Sequence, residues 1–304
     1  MIAPSGRQIE ITYGDQRAVV VEAGGGLREY LAGGREILDG YALDELSPSG
    51  RGQVLIPWPN RLRDGSYEFD GSRHQLPLTE QDQQNAIHGL VRWSAWTVGE
   101  REPDRVVVEH VLHAQPGYPF SLELGIEYRL SEEGLRVRTT ATNIGTMPCP
   151  YGSGMHPYLT AGTATVDSVI LRAPGRTVLR SDERGIPIGT APVEGTEHDF
   201  RRPRPIAATK LDHCFTDLER DGDGRARVEL RDADSDRALT VWMDEAYPYV
   251  MLFTGDPLPD VDRRSIAVEP MTCPPNAFRT GRDLIRLEPG ESASSAWGIA
   301  QPAL

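Results

Sequence analysis

Residues 122–142, LELGIEYRLSEEGLRVRTTAT, contain two segments in which apolar and polar side chains alternate. The segments are Leu122–Leu130 and Leu135–Thr142, and a period of two is typical of a β-strand with one buried face. Glu133-Gly134 lies between them and predicts a tight turn. The stretch therefore predicts an antiparallel β-hairpin.

The same pattern continues in both directions along the chain. Asp70-Gly71 separates Tyr67-Glu68-Phe69 from His74-Gln75-Leu76 and predicts a second tight hairpin. Other short segments alternate or are rich in β-branched residues, and each is bounded by Gly, Pro, Asp or Asn. These segments are Gln8–Tyr13, Ala18–Glu22, Arg105–His113, Ala164–Leu171, Ala226–Leu230, Ala238–Trp242, Tyr249–Phe253 and Ser265–Val268.

Long helices are disfavoured throughout the sequence. No long segment keeps a 3.6-residue apolar period, and the chain contains 31 glycines and 24 prolines. Strands do not alternate with helical segments, which argues against a parallel βαβ architecture. We expect an all-β fold of antiparallel strands, a large sandwich or barrel, in which residues 1–304 form one domain. Polar, irregular loops are expected at Arg180–Arg204 and Asp256–Arg264.

Composition excludes several classes of partner. The net charge of −13 argues against nucleic acid and anionic membranes, because both require a basic surface. No apolar run is long enough to span a membrane, and residues 1–11 lack the apolar core of a signal peptide, so we expect a cytoplasmic protein. Cys149, Cys214 and Cys273 form no CxxC pair, which indicates neither a zinc site nor a disulfide framework. The sequence does not determine the oligomeric state.

Polar residues interrupt the strand pattern in five segments: Ile56–Leu62, Asn85–Arg92, Gly152–Tyr158, Leu211–Phe215 and Val268–Ala277.

Two of these segments contain residues suited to proton transfer. His156 follows Gly154 and precedes Pro157, on a constrained backbone that can aim a side chain. Glu269 follows the apolar run Ile266-Ala267-Val268, so we expect it near a strand end and partly buried. A carboxylate in that position must be paired or solvated, or its pKa must rise. A histidine and a carboxylate at the ends of separate strands suit general acid–base catalysis.

The other polar residues have structural explanations as well as functional ones. Asn60 and Arg61 either bind a ligand or end a strand, with the arginine paired to a surface carboxylate. His88 and Asp212 are either binding residues or turn residues. Trp58 is either a stacking wall for a sugar or a core residue.

Other chemistries fit the sequence less well. Most glycosidases use two carboxylates, whereas the best acid partner here is a histidine. Gly152-Ser153-Gly154 lacks the GxSxG spacing of a serine hydrolase. His88 and His156 stand in no HxH or HExxH arrangement, so no metal site is preorganised, and phosphate-binding glycine loops are absent.

Taken together and in order, these segments resemble the aldose 1-epimerase (galactose mutarotase) family. The residues that carry the resemblance are Pro59-Asn60-Arg61 with Asp64-Gly65, Asn85 with Ile87-His88-Gly89, His156–Tyr158, Asp212–Phe215, Glu269-Pro270 and Pro275-Asn276-Ala277.

The resemblance implies a galactose mutarotase-like β-supersandwich and a sugar mutarotase that interconverts the α and β anomers of a free aldose. It implies that Glu269 is the general base, that His156 is the general acid, and that no metal or cofactor is needed. By the same resemblance, His88, Arg61 and Asp212 bind the monosaccharide.

Departures from the galactose mutarotase pattern leave the substrate open. Leu90 stands where the family pattern has a second glycine after His88-Gly89. After His156, Pro157-Tyr158-Leu159-Thr160 stands where the galactose mutarotases usually have Tyr-Phe-Asn-Leu. The sequence is more similar to a bacterial branch that includes a mutarotase for the sulfonated sugar sulfoquinovose. Two alternatives remain: a hexose-6-phosphate 1-epimerase, with Arg61, Arg63 and Arg92 as contributors to an anion pocket, and a noncatalytic carbohydrate-binding protein.

Overall fold

The computed structural model describes residues 2–256, 258 and 262–300. β-Strands dominate this part of the chain. The strands of the first half are β1 Gln8–Tyr13, β2 Gln16–Val21, β3 Leu27–Ala32, β4 Arg35–Glu36, β5 Val54–Leu55, β6 Arg61–Arg63, β7 Ser66–Phe69, β8 Ser72–Gln75, β9 Asn85–Ile87, β10 Thr97–Glu102, β11 Arg105–Leu112, β12 Leu122–Ser131, β13 Gly134–Asn143 and β14 Cys149–Tyr151.

The strands of the second half are β15 Gly154–Met155, β16 Tyr158–Leu159, β17 Val169–Arg172, β18 Gly175–Ser181, β19 Pro187–Pro192, β20 Arg204–Pro205, β21 Asp212–Leu218, β22 Ala226–Asp232, β23 Ala238–Met243, β24 Tyr249–Phe253, β25 Ile266–Met271, β26 Ile285–Leu287 and β27 Ser292–Ala300. Helical structure in the described residues is limited to the four-residue α1 Ala277–Thr280 and two 3-10 turns, Pro48–Gly50 and Val166–Ser168. No helix in these residues is long and apolar enough to cross a membrane.

Two large antiparallel sheets organise the fold. The nine-stranded sheet has the order β10-β11-β12-β13-β27-β23-β22-β17-β20. The eight-stranded sheet has the order β19-β18-β21-β24-β25-β15-β5, with β16 also paired to β25. A four-stranded sheet, β1-β2-β3-β4, and the pairs β14-β26, β6-β9 and β7-β8 complete the strand pairing. The expected all-β, antiparallel fold is confirmed.

Both predicted hairpins form, with one change of register. Asp70 and Gly71 connect β7 to β8 with φ angles of 48° and 74°, the left-handed conformation that a two-residue hairpin turn of this kind requires. In the longer hairpin Ser131 pairs with Gly134, so Glu132 and Glu133 form the turn and Gly134 begins β13. The turn therefore lies one residue earlier than predicted.

Three sequence predictions require correction or lie partly outside the described residues. The segment Ala164–Leu171 is a strand only in its second half, because residues 166–168 form a 3-10 turn. The loop expected at Arg180–Arg204 contains the end of β18 and all of β19, which pairs with β18. Of the loop expected at Asp256–Arg264, residues 257 and 259–261 lie outside the described residues.

The three cysteines are free and buried. Cys214 packs with Leu179, Tyr249, Met251 and Met271 in a small apolar cluster on the eight-stranded sheet. Burial raises the pKa of each thiol. They are therefore small apolar residues, as the sequence indicated.

Candidate active site

A cavity of about 360 Å³ opens over one face of the eight-stranded sheet. Strand register places Cys214, Met251 and Glu269 in one row across β21, β24 and β25. Asp212 and Phe253 form a neighbouring row on the same face, because side chains two residues apart along a strand share a face. Met251, Glu269, Asp212 and Phe253 all line the cavity. Regular sheet geometry therefore builds this wall.

Glu269 lies within β25, and only 2% of its surface is exposed. The partial burial expected from the sequence is corrected, because β25 is covered on both faces and all six of its residues are buried. Burial raises the pKa of Glu269 well above its usual range, and the nearby Asp212 carboxylate acts in the same direction. No described protein group donates a hydrogen bond to Oε2. Glu269 is thus a carboxyl group that is free to exchange a proton.

His156 lies between the two short strands β15 and β16, where Pro157 interrupts the edge of the sheet. The His156 backbone N–H donates to the Gln53 carbonyl at 3.1 Å, and the His156 carbonyl accepts from Gly52 at 2.9 Å. Gly50 packs against the ring so closely that a Cβ there would lie 3.0 Å from Cδ2. The imidazole is therefore fixed at both its backbone and its ring.

His156 and Glu269 contact each other inside the cavity, with 3.4 Å between Nε2 and Oε1. Burial lowers the pKa of His156 to about 3, which favours a neutral imidazole. The neutral pair, with its proton on Glu269, holds the same number of protons as the pair with a carboxylate and an imidazolium. One proton can therefore occupy either residue.

A second wall consists of loops and short strands around His88. The His88 ring meets the His156 ring edge-on, with 5.3 Å between centroids. Burial lowers the pKa of His88, and its Nδ1 accepts the Asn60 backbone N–H at 3.2 Å. This hydrogen bond leaves Nε2 to carry the ring proton, which makes His88 a neutral hydrogen-bond donor.

The backbone of this second wall depends on left-handed residues. Asn60 and His88 have φ angles of 55° and 62°, and Gly89 follows at 73°. A Cβ on Gly89 would lie 2.0 Å from the Ile56 carbonyl oxygen. Gly89 is therefore required for the close approach that holds Asn60 and His88 at the cavity.

Arg61 lines the cavity in a fixed ion pair. Its Nε donates to both oxygens of Glu80 at 3.0 Å, and Asp212 lies 3.9 Å from Nη1. Asn85 donates to Glu80 at 2.8 Å and secures the carboxylate from the other side. Glu80 also lines the cavity. The pair presents Arg61 in one orientation, because both partners are held.

Arg92 differs from Arg61 in its partners. Arg92 donates to the Gln53 side chain at 3.3 Å and to the Ile87 carbonyl at 3.4 Å, and it lines the cavity. Among the described residues, no carboxylate forms an ion pair with Arg92. Burial lowers its pKa. Arg63, by contrast, pairs with Asp182 at 2.9 Å and is not part of the cavity wall.

For Trp58, the structure supports one of the two interpretations that the sequence allowed. Trp58 is 3% exposed and packs in the hydrophobic core, with its ring 5.4 Å from that of Phe278. It does not line the cavity. Trp58 is therefore a core residue and not a stacking wall. At the cavity, Trp93 is 56% exposed.

The structure thus brings six predicted residues to one cavity: Glu269, His156, His88, Arg61, Asp212 and Asn60. Sequence reasoning missed Glu80, whose only signal was that a buried Arg61 needs a carboxylate partner. It also gave no role to Tyr158, whose ring stacks on His156. In the described residues, no group of three or more His, Cys, Asp and Glu side chains could hold a metal ion.

Comparison with known proteins identifies the family. The sequence model of the aldose 1-epimerase family matches residues 7–299. The chain belongs to the aldose 1-epimerase family. This aldose 1-epimerase homologue is 36% identical over 291 residues to the uncharacterized protein YihR of Escherichia coli K12. The alignment covers 94% of the chain and 91% of YihR. It is 28% identical to the galactose mutarotase of Rattus norvegicus over 67% of the chain and 62% of the rat protein.

Solved structures agree with the fold of this aldose 1-epimerase homologue. A galactose mutarotase-like protein from Clostridium acetobutylicum superposes with a TM-score of 0.86 at 19% identity, covering 100% of the chain and 98% of that structure. The galactose 1-epimerase of Lactobacillus acidophilus superposes with a TM-score of 0.80 at 22% identity, covering 97% and 95%.

Family membership makes the chain an isomerase of the epimerase or mutarotase type, with a sugar as its substrate. The noncatalytic carbohydrate-binding alternative is therefore not retained.

Proposed function

We propose that the chain is a mutarotase that interconverts the α and β anomers of a free aldose by acid–base ring opening and reclosure. The observation that carries this proposal is the contact between Glu269 and His156 in a cavity sized for a small ligand. The two oxygens that exchange protons in a closed sugar are bonded to the same carbon. An acid and a base that serve both oxygens must therefore be neighbours, as these two residues are.

Glu269 and His156 together supply and accept every proton that the reaction transfers. Glu269 removes the proton from the anomeric hydroxyl while the bond between C1 and the ring oxygen breaks, and His156 protonates the ring oxygen. The product is an open-chain aldehyde, with the proton now on Glu269 and a neutral His156. Rotation about C1–C2 presents the other face of the aldehyde, and reclosure reverses both transfers. No proton is gained from or lost to solvent.

The surroundings favour this cycle. Burial stabilises the neutral pair that exists while the sugar is open. Before ring opening, the bound sugar places hydroxyl groups next to Glu269. Arg61 supplies positive charge that favours the carboxylate form of Glu269. His88 donates from Nε2 to a sugar oxygen, and Asp212, whose side chain is 51% exposed, accepts from sugar hydroxyls at the opening.

The test is an anomer-exchange measurement by NMR at equilibrium. The wild-type protein should raise the exchange rate of at least one aldose in a panel of glucose, galactose, xylose, arabinose and sulfoquinovose. The pH profile of kcat/KM should be bell-shaped, because activity requires one shared proton: a second proton abolishes the base, and loss of the shared proton abolishes the acid. A protein that accelerates exchange of no sugar in the panel contradicts the proposal.

Arg92 favours a second candidate, in which the substrate carries an anionic group at C6. It is the cavity arginine for which the described residues supply no carboxylate, so an anion of the ligand can complete its pairing. Phosphate and sulfonate share this chemistry, which suits a hexose 6-phosphate or sulfoquinovose. Arg92→Gln should raise KM about 10- to 100-fold for the anionic sugar, as expected for loss of a charge-assisted hydrogen bond. An equal effect on free glucose would contradict anion recognition.

A further inference from the structure

Three planar groups, two of which line the cavity, are in stacking contact. The Tyr158 ring lies parallel to the His156 ring, with 4.9 Å between centroids and 10° between planes. The Arg51 guanidinium carbon lies over the Tyr158 ring, 4.2 Å from its centroid. The Tyr158 hydroxyl donates to the Ser49 carbonyl at 3.0 Å. His156 therefore stacks on a tyrosine whose hydroxyl is hydrogen-bonded and whose ring contacts a guanidinium group.

Burial of the Arg51 charge next to Tyr158 is energetically unfavourable. It is 2% exposed, and its Nε and Nη1 have no hydrogen-bond partner among the described residues. Its Nη2 forms an ion pair with Asp39 at 2.9 Å. Replacing such a buried pair with apolar side chains is often neutral or stabilising, so stability alone does not account for this arginine.

Asp39 connects the stack to the strand of the general base. It accepts from the Ser265 hydroxyl at 2.6 Å and from Arg264 Nε at 3.0 Å. Ser265 directly precedes β25, which contains Glu269. A closed circuit of contacts therefore runs from His156 through Tyr158, Arg51 and Asp39 to β25, and returns to His156 across the 3.4 Å contact.

We propose that Arg51, held by Asp39, is a positioning residue that acts through Tyr158: it fixes the His156 imidazole opposite Glu269, and its charge promotes release of the His156 proton. This inference rests on the proposed function of His156 as the general acid. Arg51 does not itself line the cavity, so its effect on a sugar is indirect.

The charge effect has a definite direction. Burial is the main cause of the lowered pKa of His156, and the Arg51 and Arg92 cations lower it further. Glu269 is the carboxylate in contact with the ring, while His88 meets the ring edge-on and Tyr158 covers one face. The Glu269 carboxylate stabilises the protonated imidazole, and the Arg51 cation destabilises it. Removal of Arg51 therefore makes the protonated imidazole more stable and a weaker acid.

Arg51→Leu removes both the charge and the stacking, whereas Arg51→Lys keeps the charge but loses the planar group. Arg28→Leu is a matched control, because Arg28 is also buried and ion-paired, to Glu29 at 2.9 Å, but lies outside the cavity. Thermal unfolding establishes that each variant is folded. Asp39→Asn, which removes the anchor of Arg51 but keeps its size, serves as a second test if Arg51→Leu does not fold.

Two measurements are made on each folded variant. In the anomer-exchange assay, Arg51→Leu should lower kcat about ten-fold or more with KM nearly unchanged, because a misplaced acid affects the reaction more than binding. In ¹⁵N NMR of the imidazoles, with His156→Asn for assignment, the protonated fraction of His156 at a given acidic pH should rise about ten-fold. Arg51→Lys should restore the protonated fraction but not kcat.

The outcomes separate the two proposals. A wild-type protein without exchange activity contradicts the proposed function, while the NMR titration still tests the effect of Arg51 on His156. A folded Arg51→Leu with wild-type kcat and an unchanged titration of His156 overturns the inference. Equal losses in Arg51→Leu and Arg28→Leu also overturn it, because they indicate a general loss of structure.

Discussion

The two walls of the cavity are built in different ways. The sheet wall, formed by Asp212, Met251, Phe253 and Glu269, lies on regular strands, and one oxygen of Glu269 receives no hydrogen bond from the described residues. The loop wall, formed by Asn60, Arg61, Glu80 and His88, contains left-handed residues, and its charges are paired before any ligand binds.

The difference indicates a division of labour. A group that must exchange a proton benefits from a dry, rigid environment that shifts its pKa, and the sheet provides this environment for Glu269. Groups that bind a polar ligand benefit from fixed orientation, which the ion pair and the backbone contacts provide for Arg61 and His88. Changes in the sheet wall should therefore affect kcat most, and changes in the loop wall should affect KM most.

The largest effect is expected at the sheet wall. Glu269→Gln keeps the shape of the side chain but removes the base, so kcat should fall by about 10²–10⁴-fold with a small change in KM. The anomer-exchange assay measures both constants. Glu123→Gln, an exposed position on β12, is the control and should leave the rate unchanged. A Glu269→Gln protein with wild-type kcat would place the base elsewhere.

A backbone change should disrupt the loop wall. Gly89→Ala introduces a Cβ at the Ile56 carbonyl, which should cost about 3 kcal/mol of unfolding free energy and displace His88. Gly71→Ala is a matched control, with nearly the same φ angle and no atom within 4 Å of the added Cβ. It should cost only about 1 kcal/mol. Denaturant unfolding compares the two, and equal costs would show that the close contact with Ile56 relaxes freely.

The Arg61–Glu80 pair tests the loop wall without altering its backbone. Glu80→Gln should weaken the fixation of Arg61 and raise KM about ten-fold, with a smaller change in kcat. Asp182→Asn is the control, because it breaks the Arg63 ion pair outside the cavity. If kcat falls while KM stays constant, Arg61 acts mainly in the transition state, and the division between the walls is incorrect.

The smallest expected effect concerns stability and pH. Because the pKa of folded Glu269 is raised above its usual 4.5, its stabilising contribution is present below that pH and is lost as pH rises toward the folded pKa. From pH 5 to pH 8, the wild type should lose about 1–2 kcal/mol of unfolding free energy relative to Glu269→Gln.

For His156, whose folded pKa is lowered to about 3, the stabilising contribution is present above the usual pKa of 6.5 and is lost as pH falls toward 3. Denaturant unfolding from about pH 3 to pH 8 tests both signs, and parallel pH curves for wild type and Glu269→Gln would contradict the raised pKa.

Local sequence determined much of the fold. Alternation in Leu122–Leu130 and the Asp70-Gly71 turn depends on side-chain facing and on residues that accept a left-handed backbone, and both are short-range properties. Ser292–Ala300 escaped prediction because it runs SASSAWGIA without alternation. It is nevertheless the strand between β13 and β23, since pairing on both sides supports it.

The site residues were recognisable by their order along the sequence, but their arrangement was not. Only long-range register places Glu269 fully inside the protein, brings Nε2 of His156 to 3.4 Å from it, and turns Trp58 into the core. The partner of Arg61 and the stack behind His156 likewise depend on segments far apart in the chain. A sequence specifies which groups are available, whereas their burial and pKa depend on what the rest of the fold places around them.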